Sequence, residues 1–284
     1  MIPPSIGLVI YGVIAETSIS ALFIAAIIPG LFMGLLMLAV LPFIKSTNRE
    51  GLDKLSPAPP SNGYWRDLGR SFRESFWGLM TPVVILGGIY SGIFTPTEAA
   101  LVATVYAIAV GAFAYRTLTI RALYDALTEA ASSSAVVMLV VAYASLFGWV
   151  VTVEDLVGQY SGQLLGLSDN GGVILMVIML ILLIAGMFMD PVTVMFISLP
   201  IFMPVVRELG WDPVWFGVLV MVNLAIGLIT PPVGINLYVA ANITRQPLER
   251  IARAALPFLA ISVIGLAIVA AVPALSLFLP EVLK

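Results

Sequence analysis

Asp190 is the one charged residue in the apolar run from Gly172 to Val206. As a single straight helix that run would be about 50 Å long, against a hydrocarbon core of about 30 Å. It is interrupted at Gly186-Met187-Phe188-Met189-Asp190-Pro191, where Asp190 is placed to cap a new helix and Pro191 to open it. The turn holds no Lys or Arg, so a re-entrant hairpin with its tip inside the membrane is expected rather than two full crossings. An ionisable group at that depth costs about 2.5–3.5 kcal/mol unless paired, and so marks a functional position. The alternative is a carboxylate that caps a helix at the surface.

Thr230-Pro231-Pro232 is the second chemical feature. Proline removes a backbone donor and pushes its predecessor out of the α region. The run from Trp215 to Tyr238, extending to Ile243, should therefore break near its middle. Within a bilayer an irregular backbone survives only when buried in protein or lining a wet cavity. The break frees carbonyls around Gly227 to Thr230 and aims the start of a second half-helix, near Val233 and Gly234, into the protein. Carbonyls and hydroxyls suit a small hard cation, whereas a half-helix N-terminus suits an anion. Asn236, one turn later, is the asparagine best placed to be a ligand. A plain kink is the alternative reading, and Asn223 and Asn242 read equally well as interhelical glue.

The double proline occurs twice. An offset of 228 carries Pro3-Pro4 onto Pro231-Pro232, Pro29 onto Pro257 and Leu31 onto Leu259. Charge then gives direction. Lys45, Arg49, Lys54, Arg66, Arg70 and Arg73 share one loop, Arg116 and Arg121 a second, and Arg245, Arg250 and Arg253 a third. The loops near Thr17, Thr95 and Glu154 to Asp169 hold none, so the basic loops are cytoplasmic. The segment after Pro4 must run outward and the one after Pro232 inward, as in an inverted-topology repeat.

The elements that position these features belong to an all-α polytopic membrane protein. Of 284 residues 61% are hydrophobic and only 10% charged, far below the share of a soluble domain, and the mean hydropathy is +1.08. A net charge of −3 argues against a grip on nucleic acid. The absence of histidine and cysteine removes imidazole bases, catalytic triads, haem, zinc and disulfides, so a carrier or channel is expected rather than an enzyme. Met1 to Ser5 lacks the basic start of a signal peptide. The amphipathic stretch from Tyr64 to Arg73 suits a helix in the headgroup plane, and the basic loop from Lys45 to Arg73 an anchor on anionic lipid. Thr95-Pro96-Thr97-Glu98 reads as a structural capping box, and Ser132 to Ser134 as a small-residue packing face. The expected division is the remnant of a first broken helix (1–18), a transmembrane helix (19–44) and a cytoplasmic loop with an interfacial helix (45–75). Scaffold-type transmembrane helices (76–153), a periplasmic loop (154–170) and a hairpin with a broken helix (171–243) follow. A cytoplasmic turn and last transmembrane helix (244–284) close the chain.

Several stretches resemble one family, the large membrane (permease) subunit of TRAP transporters (tripartite ATP-independent periplasmic transporters). They are Ile2-Pro3-Pro4-Ser5-Ile6, Leu22-Phe23 with Pro29-Gly30, Gly92 to Ala100, Gly186 to Asp190, Pro200-Ile201 with Pro204, Trp211 to Gly217 and Gly227 to Gly234. The resemblance implies a sodium-coupled secondary transporter of the inner membrane with an elevator-type, inverted-repeat, ion-transporter-like fold. It implies a small four-helix membrane subunit and a periplasmic substrate-binding protein as partners, a small organic acid such as a dicarboxylate or sugar acid as cargo, and no organic cofactor. Carried over by position, sodium (Na+) would be held by Asp190, Gly186, Gly227, Thr230 and Gly234. Pro3, Pro4, Ser5, Pro231, Pro232 and Asn236 would line a substrate or second ion site. Family members carry a long segment with a first hairpin before the Ile-Pro-Pro-Ser motif. Its absence here predicts either a second chain that supplies it or a transport-inactive membrane fragment or assembly scaffold.

Overall fold

The computed structural model describes residues 2–43, 64–154 and 156–283. Lys45, Arg49, Lys54 and the Pro- and Ser-rich stretch from Ser56 to Ser61 lie outside the described residues. Among those described the chain forms twelve α-helices and no strand. They are α1 (Ile6–Ile14), α2 (Ile19–Val40), α3 (Tyr64–Tyr90), α4 (Pro96–Ala109, continued as a π turn to Ala114), α5 (Ile120–Val153) and α6 (Leu156–Gly166). Then come α7 (Gly171–Phe188), α8 (Pro191–Glu208), α9 (Pro213–Gly227), α10 (Ile235–Thr244), α11 (Leu248–Ala271) and α12 (Ala274–Val282). Among the described residues six helical stretches are long and apolar enough to cross a membrane. Contacts divide the chain into two units, Leu41–Ala130 and the remainder.

In the smaller unit the amphipathic stretch and the run from Phe76 form the single helix α3, not two elements. No helix breaker separates them, and an Arg70–Glu74 ion pair at 2.8 Å spans the junction with i,i+4 spacing. The capping box holds as expected: the Thr95 N–H donates to Glu98 Oε2 at 2.8 Å and the Glu98 N–H to Thr95 Oγ1 at 3.3 Å. The Tyr106 hydroxyl donates to the Trp77 carbonyl at 2.8 Å. The Tyr115 hydroxyl donates to the Glu74 carbonyl at 2.9 Å and accepts the Gly78 N–H at 3.3 Å, so it spans one turn of α3. Pro82 leaves the Gly78 carbonyl without its usual donor in the same region. Tyr115→Phe keeps the ring and removes both bonds. A loss of about 1–2 kcal/mol is expected, read as a lower Tm with faster amide exchange at Gly78; unchanged exchange there would contradict it.

In the larger unit three contacts set helix directions. Gly7 packs against Met221 and Met195, whereas the Tyr11 hydroxyl donates to the Pro213 carbonyl at 2.7 Å and its ring abuts Gly217. α1 therefore runs antiparallel to α9. Trp215 Nε1 donates to the Val269 carbonyl at 3.3 Å, which puts the end of α11 beside the start of α9. Because α11 starts just after α10 ends, α9, the break and α10 together run back along α11. α1 and α10 thus point in opposite directions, as an inverted repeat demands.

The repeat is visible in the elements themselves. An offset of 229 carries Ile6 onto Ile235, Glu16 onto Arg245 and Ile19 onto Leu248, which open α1, turn the chain and open α2 in the first copy. Glu16 and Arg245 both have φ +52°, and both double prolines are cis. The prolines keep the offset of 228, so Gly234 is the added residue of the second copy. The turn holds no Lys or Arg in the first copy and Arg245 in the second, which sends the two to opposite sides of a membrane.

Three expectations change. The stretch expected as a loop at 154–170 contains α6, which packs on α8 and buries Leu164. The apolar run from Ala254 to Leu279 is not one helix: it divides at Val272-Pro273 into α11 and α12. Proline there lacks the N–H that continuation needs. Ser132 to Ser134 are exposed rather than packed.

Candidate functional site

The hairpin is built from α7 and α8. Asn170 caps α7, its Oδ1 accepting the Gly172 N–H at 2.9 Å. α7 then follows α9 in parallel: Gly171 lies on Trp211, Asn223 Nδ2 donates to the Met179 carbonyl at 2.7 Å, and Gly186 meets Gly227. Asn223 is fully buried and serves as glue between the two helices, while its Oδ1 has no partner among the described residues. Asn242 is exposed.

Gly186 and Gly227 touch backbone to backbone. A Cβ on Gly227 would lie 2.8 Å from the Gly186 carbonyl carbon and 3.0 Å from its Cα and oxygen. Two residues past this contact α7 ends, and Asp190 opens α8. Its Oδ2 accepts the Thr193 N–H at 3.0 Å and its Oδ1 the Thr193 hydroxyl at 2.5 Å. Asp190 is exposed. Capping explains Asp190 and Pro191 as the sequence implied, and Thr193 joins them as a partner that the Asp-x-x-Thr spacing could have revealed.

Opposite the tip, α9 ends in tightening turns. The Ile229 N–H donates to Ile226 at 3.1 Å and the Thr230 N–H to Gly227 at 3.0 Å. Thr230 is 6% exposed, and its hydroxyl donates to the Ile226 carbonyl at 2.6 Å, which leaves oxygen lone pairs facing elsewhere. Pro231 and Pro232 offer no N–H, and among the described residues no donor reaches the Thr230 carbonyl. Gly234 has φ +52°, and a Cβ there would lie 2.9 Å from the Thr230 oxygen and 3.2 Å from the Leu228 oxygen. Its N–H donates to the Met187 carbonyl at 3.0 Å, tying the hairpin tip to the break. α10 restarts as the Asn236 N–H reaches the Leu228 carbonyl at 3.1 Å.

The fold thus brings together Gly186, Gly227, Thr230 and Gly234, with the Leu228 carbonyl expected among those freed by the break and the Met187 carbonyl that sequence reading missed. A carbonyl leaves no trace in residue type. Pro231 is half-buried and Pro232 exposed beside them, and the Asn236 side chain is exposed. Asp190 stays just beyond the tip, engaged with Thr193. Pro3 is buried, Pro4 exposed and Ser5 half-buried at the head of α1, and no hydrogen bond among the described residues joins them to Asp190 or the Thr230 loop. The donors at the break are hard oxygens of backbone and hydroxyl, the set that unwound helices offer an alkali cation. Among the described residues no cluster of three or more Asp, Glu, His or Cys could hold a metal ion.

A hairpin tip seated against a helix break, in an inverted repeat of helices long and apolar enough to span a membrane, defines an all-α polytopic membrane protein. The chain belongs to the family described as "Tripartite ATP-independent periplasmic transporter, DctM component", whose model matches residues 1–275. It is a multi-pass protein of the inner membrane. It is 42% identical over 99% of its length to the C4-dicarboxylate TRAP transporter large permease protein DctM of Pseudomonas aeruginosa. It is 41% identical, over 99%, to the sialic acid TRAP transporter large permease protein SiaM of Vibrio cholerae. A third relative is the isethionate TRAP transporter permease protein DctMQ of Oleidesulfovibrio alaskensis, 39% identical over 98% of this chain. The chain spans 64% of the length of the first two and 43% of the third. These relatives are permeases, not enzymes.

Proposed function

We propose that this chain is the part of a sodium-coupled, binding-protein-dependent permease that carries the second hairpin and second broken helix. Its cargo is a small organic acid, a class to which the cargoes named for the C4-dicarboxylate, sialic acid and isethionate relatives belong. The carrying observation is the seam between Gly186-Met187 and Gly227 to Gly234, where close glycines and an unpartnered Thr230 carbonyl gather oxygens. A sodium ion there would draw the tip and the break together, and the Asp190 carboxylate would add charge directly or through a water. Because no arginine lies in the apolar core segments, the acid would be held by half-helix N-termini and backbone amides. A small four-helix membrane subunit and a periplasmic binding protein complete the working assembly.

The test is uptake of a radiolabelled organic acid into vesicles that contain the permease and a candidate binding protein. Uptake should need both an inward sodium gradient and the binding protein, and should fail when this chain is supplied without a first hairpin. Uptake that proceeds equally in potassium would refute sodium coupling. Robust uptake by residues 1–284 alone would show that the first hairpin is dispensable.

A further inference from the structure

In the smaller unit a cavity of about 510 Å³ opens between α3 and the end of α4, lined by Arg70, Arg73, Glu74, Trp77, Ala114 and Tyr115. We propose that it binds the phosphodiester headgroup of an anionic phospholipid on the cytoplasmic side. Arg66, Arg70, Arg73 and Trp77 recur at intervals of four, three and four, so they share one face of α3. Trp65, Phe72 and Phe76 form an adjoining exposed face of the same helix. A helix with aromatic residues beside arginines, running on into an apolar half, sits at headgroup depth.

The cavity is built for one negative charge. Arg70 Nε is spent on Glu74 at 2.8 Å, which leaves its terminal N–H groups free to turn outward. Arg73 has no ion pair among the described residues. Two guanidiniums less one carboxylate leave a single net positive charge, matching a singly charged phosphodiester. Forked guanidinium donors suit phosphate oxygens geometrically as well as electrostatically. The opposite wall is held in place, because the Tyr115 hydroxyl is bound to both the Glu74 carbonyl and the Gly78 N–H. Beyond Trp77 α3 becomes apolar, and its exposed Leu79 and Val83 continue the adjoining face of Phe72 and Phe76, where acyl chains can lie.

The experiment is native mass spectrometry of the purified chain titrated with phosphatidylglycerol, phosphatidylcholine and inorganic phosphate. Phosphatidylglycerol should be retained over phosphatidylcholine, and the Arg70→Gln/Arg73→Gln double variant should weaken that retention about thirtyfold, because two charge-assisted guanidinium–phosphate contacts are lost. Arg66→Gln, on the same face but outside the cavity, should stay within about twofold of the parent, since it loses only diffuse attraction. Glu74→Gln should strengthen retention by freeing Arg70. If the double glutamine variant fails to fold, Arg70→Lys/Arg73→Lys keeps the charge and loses the fork, and should still weaken binding measurably. Unchanged retention in the double variants would overturn the site. Competition by inorganic phosphate as effective as that of the lipid would overturn the lipid assignment in favour of a free-anion site.

Discussion

Gly227→Ala is expected to lower the Tm of the chain and to abolish any sodium-dependent gain in Tm. In an ordinary helix the change would stabilise, because alanine is favoured over glycine by about 1 kcal/mol. Here the new methyl meets the backbone of Gly186 at 2.8–3.0 Å, and no flexible side chain can move aside. Overpacking of this kind costs about 1–3 kcal/mol, and relief requires the hairpin tip to withdraw from the break. Withdrawal would also stretch the Gly234-to-Met187 hydrogen bond, now 3.0 Å. The reciprocal change behaves differently. A Cβ on Gly186 meets Leu224 Cδ2 at 3.3 Å and the Gly227 Cα at 3.6 Å, so Gly186→Ala should be neutral or slightly stabilising. Of two methyls on the two sides of one contact, only the one on Gly227 should therefore lower Tm. The measurement is thermal unfolding in sodium chloride and in potassium chloride, since an ion that binds only the folded state raises Tm. Equal behaviour of the two variants would show that the Gly186–Gly227 contact does not set the tip.

Thr230→Val should raise the sodium concentration needed for half-maximal stabilisation about tenfold, corresponding to about 1.4 kcal/mol. Valine keeps the volume of threonine and removes the one hydroxyl buried at the break. Because that hydroxyl donates to Ile226 at 2.6 Å, its oxygen is oriented to offer lone pairs rather than a proton to the site. Thr230→Ser restores the oxygen and should recover most of the affinity. Asp190→Asn should weaken sodium dependence while leaving folding nearly intact, because asparagine also caps helices well and its amide oxygen can still accept the Thr193 N–H. If Asp190 and Thr230 act on one ion, the double variant will be non-additive. An unchanged sodium titration in Asp190→Asn would reduce Asp190 to the cap that its bonds to Thr193 already describe.

Most features that depend on local chemistry were legible in the residues alone. Proline cannot donate an N–H, so the breaks before α8 and within the run from Trp215 to Ile243 were legible from Pro191, Pro231 and Pro232. Capping follows the same logic, and Asp190 and Thr95 sit where side-chain oxygens had to satisfy the first free amides of a helix. Alternation of charge between loops gave direction, and the duplicated double proline gave the repeat. Errors arose where composition and conformation part. Nothing in the residues from Arg73 to Phe76 compels a break, so α3 runs through. Pro273 divides a run whose hydropathy is uniform, and α6 forms in a stretch too short and too polar to read as a span. The seam itself had to wait for the packed chain. The close approach of Gly186 to Gly227 and the seat of the Gly234 N–H on the Met187 carbonyl fix which oxygens gather at the break. These are backbone groups common to every residue, and distances between α7 and α9 come from packing around Asn223 and the glycines rather than from any local preference. Residue types announce where a helix must stop, but only the packed chain decides what its freed carbonyls face.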